Sequence, residues 1–220
     1  MIGDSANTLA LIDTGNGVNI KQILKKLSKM GLPSERISKV LITHCHLDHV
    51  GGLYKLLKLL KSPFEIISHE IEASFIEQAK ENMIIPLKTI FRPLISDLAN
   101  IFIDFKPIPI KISQKLKEGD IIEVGGLALK VIHTPGHSAG SCCFYEESLK
   151  ILFSGDTVFS GGGFGRTDFR TGNALDLVKS LEKLSEIEVR MLCPGHMQPV
   201  LTEGSRQIKL AYEIARRMRF

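Results

Sequence analysis

"ITHCHLDHVGG", residues Ile42 to Gly52, puts His44, His46, Asp48 and His49 within six residues, at the end of an apolar run and just before two glycines. Neutral imidazoles and a carboxylate are borderline-hard ligands that suit zinc, iron or manganese. Read as extended chain leaving a strand at Ile37 to Thr43, the alternation sends His44, His46 and Asp48 to one side and Cys45 and Leu47 to the other. A helix beginning near Gly51 then swings His49 in beside Asp48. Four such groups are too many for one metal that must also keep an open position, so the stretch implies two metals and further ligands elsewhere.

Those ligands are expected at other strand ends, and the sequence offers three. His137 lies in "HTPGHSAGS", Asp156 in "LFSGDTVF" and His196 in "CPGHMQP", each beside a glycine that lets a ligand-bearing loop turn sharply. A single histidine after a strand is usually a packed or surface residue. Seven such positions in one chain are not explained that way.

The rest of the chain alternates strands and helices with no repeat and no low-complexity linker. Strands are expected at Leu9 to Asp13, Phe64 to Ser68, Ile121 to Val124, Leu127 to Ile132, Ser141 to Tyr145, Ile151 to Ser154 and Val189 to Cys193. Helices are expected near Val18 to Met30, Leu53 to Leu60, Glu70 to Lys80, Ala174 to Leu184 and from about Thr202. The first carries apolar positions at Ile20, Ile23, Leu24 and Leu27 and stops at Gly31. Strands interleaved with helices argue for a layered α/β domain. A chain of 220 residues fits one such domain, 1–220, with a helical insertion at about 84–112. In that insertion Ile90, Phe91, Leu94, Leu98, Ile101 and Phe102 recur at helical spacing, which suits a cover over the core and, in a sharper reading, a lid over the site.

Composition narrows the function. With 44% hydrophobic and 24% charged residues the chain is not a disordered one. The net charge of +4 is spread out, and its one tight cluster, Arg216, Arg217 and Arg219, reads as a helix end. A nucleic-acid partner is therefore not expected. Neither is a membrane, since charged residues interrupt every long apolar stretch and the start lacks the pattern of a signal peptide. The expectation is a cytoplasmic enzyme with a small-molecule substrate; the sequence leaves its oligomeric state open. The four cysteines, Cys45, Cys142, Cys143 and Cys193, have no CxxC spacing and are expected to be reduced.

The spacing HxHxDH followed by His137, Asp156 and His196 resembles the metallo-β-lactamase superfamily over nearly the whole chain. Within it, "THCHLDHVGG", "HTPGHSAGS", "FSGDTVF" and "GRTDFRTGN" are similar to the glyoxalase II-like hydrolases, the hydroxyacylglutathione hydrolases. The resemblance implies a four-layer αββα sandwich in which two mixed sheets, covered by helices, carry a dinuclear site along one edge. Carried over by position, it implies that His44, His46 and His137 hold one metal, that Asp48, His49 and His196 hold the other, and that Asp156 bridges them. The implied cofactors are two divalent ions, zinc first, with iron or manganese also suited to the donors.

Two cations a few ångströms apart lower the pKa of a shared water to roughly 7, which supplies hydroxide near neutral pH. The implied reaction is attack of that hydroxide on a thioester, ester or lactone carbonyl, with Asp48 oriented to accept or direct its proton. "GFGRTDF" is also similar to the persulfide dioxygenases of this fold, which use a single iron, and that is the alternative. Glyoxalase II enzymes that use glutathione carry an added basic helical region; here about 24 residues follow His196, enough for one helix.

Other residues take structural or rim roles in this reading. His133 is expected to pack behind His137, and His69 to start a helix at the pocket rim. Arg166 is the candidate substrate contact, by binding a carboxylate, or else it locks its loop through Asp168. Cys142 and Cys143 alternate within a strand, so one should face the core. Cys193 is expected to be packed. Family members have a strand before the one ending in "LIDTG", so residues 1–8 look like a shortened start, which bears on one sheet edge and not on the ligands.

Overall fold

In the computed structural model, which describes residues 2–3, 8–86 and 105–218, the apolar run before the histidines is β3, Ile37–Ile42, a strand inside a five-stranded sheet. The order in that sheet is β1 (Ile2–Gly3), β2 (Leu9–Ile12), β3, β4 (Glu65–His69) and β5 (Gln114–Leu116). All neighbours run parallel except β1 on β2. The second sheet runs β6 (Ile121–Val124), β7 (Leu127–His133), β8 (Cys142–Glu146), β9 (Ile151–Gly155) and β10 (Met191–Pro194), antiparallel except β10 on β9. The early strand thus exists as a two-residue edge.

Period-two alternation sorts the side chains into three apolar layers. Leu9, Leu11, Val40, Ile42 and Ile66 face outward from the first sheet, onto α3 (Leu53–Leu59), α4 (Glu70–Glu77) and α5 (Glu81–Ile84). Ala10, Leu41, Ile67, Leu129, Val131, Cys142 and Phe144 fill the space between the sheets. Ile132, Cys143, Tyr145 and Leu152 face outward from the second sheet, onto the helices Ala174–Ser185 and Gly204–Ala215, named α6 and α7. Three cores between four layers make the αββα sandwich. Cys142 and Cys143 are therefore both buried, one in each of two cores, whereas Cys193 is only half-buried.

Several details depart from the sequence reading. The extended chain ends at His46, which caps a short helix α2, Leu47–Val50, so Asp48 lies on its first turn and not on a strand, beside His49 on the same helix. The helix begins four residues before Gly51. Glycine is needed there for close approach: a Cβ at Gly52 would lie 2.2 Å from the carbonyl oxygen of Thr14. On α1, Ile20–Lys29, Ile20 is buried but Ile23 is 46% exposed, where it lines an open pocket together with Asp48, His49 and Pro194. β5 reads Gln-Lys-Leu, too short and polar to show as a strand. The proposed insertion lies mostly outside the described residues; of its described parts, Ile84 ends α5, 85–86 and 105–112 are not helical, and Ile84, Ile85, Ile110 and Ile112 pack into the outer core.

β2 to β5 and β7, β9 and β10 all end at the same edge of the sandwich. There the amide of Cys142 donates to the carbonyl of Thr43 at 3.0 Å, joining the sheets. Strand ends meeting in this way bring distant loops to one place.

Candidate metal centre

Six histidine and aspartate side chains from three loops converge on that edge, with a seventh, Asp156 from a fourth loop, between them. His44, His46 and His137 bring ligand atoms within 4.8 Å of one another, and so do Asp48, His49 and His196. His44, His49 and Asp156 form a third such group, which overlaps the first two. Asp156 lies 3.2 Å from His49 Nε2, 3.5 Å from His137 Nε2 and 3.3 Å from His196 Nε2, so it stands between the two triplets. Every residue that the sequence singles out as a ligand is at this edge.

The polar atoms that fail to find partners also point to a cation. His44 Nε2, His49 Nε2 and Asp156 Oδ1 are buried with no hydrogen-bond partner among the described residues. His49 and Asp156 are 3.2 Å apart, yet their geometry is not that of a hydrogen bond. Buried polar atoms are nearly always paired, so orphans converging on one space fit a metal ion. Imidazole nitrogens and a carboxylate are donors that zinc, iron and manganese accept.

The protonation of the two triplets differs. Burial, reinforced by its neighbours His49, His46 and His137, holds His44 well below the ordinary histidine range. Burial and then His137 lower His46 to about 3, and burial lowers His137 as well. These rings are neutral, the form that binds metal. His196 is pushed up to about 10 by Asp156 and Asp48, and for His49 the carboxylates of Asp13 and Asp156 outweigh burial. For Asp156 burial acts upward, but the imidazoles of His196 and His49 hold it far below the carboxylate range. Asp48 is likewise held down, by His196 against its burial.

Groups that the sequence reading passes over set the rings in place. Asp13 accepts from His49 Nδ1 at 2.8 Å and, through Oδ2, from Thr43 Oγ1, which in turn sits 3.1 Å from His44 Nδ1. One carboxylate thereby orients a ring in each triplet, as ligand-orienting groups do around metals. Its signal in the sequence, a carboxylate ending an apolar strand before a glycine in "LIDTG", is the same one that flags Asp156. His137 Nδ1 donates to the carbonyl of Arg166 at 2.7 Å. Phe169 packs edge-on against His46 and His137, with ring centroids 4.9 and 5.4 Å away.

Arg166 itself is exposed, paired through two nitrogens with Asp168 at 2.9 and 2.6 Å, and its guanidinium lies over Phe169. Its side chain ties the loop, and its main chain serves His137. His133 Nε2 donates to the carbonyl of Ala139, 2.9 Å away, and its ring stacks on His69, which caps α4; neither belongs to a ligand group.

Comparison with known proteins agrees with this geometry. The sequence profile of the Metallo-beta-lactamase superfamily matches residues 1–196, and the chain belongs to that superfamily. It is 30% identical over 197 residues to the acyl-coenzyme A thioesterase MBLAC2 of Gallus gallus, covering 84% of this chain and 67% of that protein. It is 29% identical over 181 residues to the hydroxyacylglutathione hydrolase GloC of Haemophilus influenzae, covering 82% and 75%. Among solved structures, TTHA1623 in a di-iron-bound form superposes with a TM-score of 0.63 at 27% identity, over 92% of this chain and 85% of that one. Among the described residues no helix is long and apolar enough to cross a membrane.

Proposed function

We propose that this protein is a cytoplasmic hydrolase of small-molecule thioesters, or of the related esters and lactones, that works with two divalent metal ions. The observation that carries the reading is the pair of ligand triplets sharing Asp156, one closed and one open to solvent. A thioesterase and a thioester-cleaving hydrolase among the relatives support the substrate class, and a relative solved with two irons supports the metal count.

His44, His46 and His137 would hold one ion, and Asp48, His49 and His196 the other, with Asp156 between them. When bound, such a pair supplies Lewis acidity and a water nucleophile at neutral pH. Asp48, a half-exposed carboxylate held below its ordinary range, stays an acceptor at neutral pH and directs the proton of an attacking water. Phe169 gives the acyl group an apolar wall beside the three-histidine group and keeps bulk water from its open side. Arg166 contacts substrate at the loop rim only where an anionic group displaces Asp168 from its guanidinium.

The test is metal analysis and turnover on one preparation, purified without added metal. About two metals per chain and hydrolysis of acyl-coenzyme A or hydroxyacylglutathione thioesters are expected. A single iron per chain with oxygen uptake on glutathione persulfide, and no thioester cleavage, replaces the reading with a dioxygenase.

A further inference from the structure

The three histidines of the closed group come from two loops that belong to different sheets. His44 and His46 follow β3, and His137 lies between β7 and β8. For three rings to meet one ion, the loops must be held together to within about 0.5 Å. Among the described residues the imidazole of His46 makes one contact of hydrogen-bond length, to His137 Nε2 at 2.9 Å. Its position therefore depends on the backbone beside it.

That backbone is held by Glu72. This residue, on the first turn of α4, is completely buried. Its Oε2 accepts from the amide of Cys45, the residue between His44 and His46, at 2.8 Å. Its Oε1 accepts from the amide of Gly140 at 2.8 Å and from Ser138 Oγ, next to His137, at 2.9 Å. One oxygen thus grips each loop. The fit is close: a Cβ at Gly140 would lie 2.8 Å from Glu72 Cγ and Oε1. A buried carboxylate is costly unless its lone pairs are satisfied, and here three donors satisfy it. It touches no ligand side chain.

We propose that Glu72 is a positioning residue that sets the metal affinity of the three-histidine group, and of that group alone, by clamping the Cys45 and Ser138–Gly140 backbones together. The inference rests on the reading that the two triplets hold metal. Asp13 differs from it in kind, since Asp13 bonds to a ligand ring directly and reaches both groups.

The test isolates each group in the full-length protein. His196→Ala leaves the closed group intact, His137→Ala leaves the open one, and Glu72→Gln is added to each. Glutamine keeps the shape but turns an NH2 toward a donor, so one grip is lost. Zinc affinity, read by competition with a chelator on metal-stripped protein, is expected to fall about 10–100-fold in the His196→Ala background and less than about threefold in the His137→Ala background. The cobalt-loaded spectrum of the closed group is expected to change with it. Equal losses in both backgrounds, or none in the first, overturn the proposal. Should Glu72→Gln fail to fold, Ser138→Ala removes one donor only and must show the same asymmetry at smaller size. Failure of the unsubstituted chain to take up zinc at all would sink the metal reading itself, and the inference with it.

Discussion

His44, His46 and His137 are 1, 6 and 3% exposed, whereas the side chains of Asp48 and His196 are 43 and 47% exposed. The two triplets share a single stretch of chain, yet one is enclosed by the sandwich and the other stands at its rim. The cause is where each third ligand comes from. His137 sits in a loop pinned by Glu72, by the Arg166 carbonyl and by the seam between the sheets. His196 follows β10 on an exposed turn. Burial among other imidazoles lowers the rings of the closed group, whereas neighbouring carboxylates raise His196 and the buried His49 of the open one. A closed group suits holding an ion, and an open one suits meeting substrate.

Removing Asp156 should abolish the comparison. Asp156→Ala is expected to lower metal content from about two per chain to well under one, and turnover by roughly a thousandfold, on the order of 4 kcal/mol of barrier. Unchanged metal content would refute the bridging position. Acid should separate the groups instead. His196 is raised to about 10, so below that pH an ion must displace its proton, and affinity is lost as pH falls. His49 is raised as well, so zinc binding to the open group, measured in the His137→Ala background, should weaken by at least about tenfold per pH unit between roughly pH 8 and 6. The closed group, with His46 lowered to about 3, should stay nearly flat over that range, and parallel slopes would contradict the protonation difference.

Asp13→Asn should narrow the contrast. An amide cannot accept from both His49 and Thr43 through one atom without presenting its NH2 to a neighbour, so both groups are expected to lose about tenfold in zinc affinity. A loss confined to one group would show that the path through Thr43 to His44 carries nothing. The smallest effect is expected from Gly52→Ala, whose new Cβ would press on the Thr14 carbonyl. Strain of about 1–2 kcal/mol should lower Tm by about 3–6 °C, and an unchanged melting curve would show that the turn yields freely.

The seven clustered residues were legible because their signal is local: polar residues directly after an apolar strand, next to glycine. The layers were legible because continuous apolar strands with period two must be covered on both faces. Asp13 carries the same local signal but stands alone, with no second ligand type nearby to draw notice. Glu72 carries none. "HEIEASF" reads as a surface helix with two exposed acids, and only the packing of α4 against the loops shows that the second is buried. Ile23 fails in the opposite sense, since helical spacing marks an apolar face without telling whether the fold supplies anything to cover it.

Gly165 lies where a Cβ would be 2.3 Å from the Asp156 carbonyl oxygen and 2.7 Å from His137 Nδ1, and the next carbonyl is the one that His137 uses. The loop that carries Arg166 is thus seated on the cluster itself. Its main chain cannot be reshaped without carrying Asp156 and His137 with it, whereas the exposed Arg166 side chain, which meets Asp168 and the Phe169 ring, can be exchanged at little cost to the centre. For evolution or for an engineer, the result is a division of inheritance: the backbone of this loop is fixed by the cluster beneath it, and change is left to its exposed side chains.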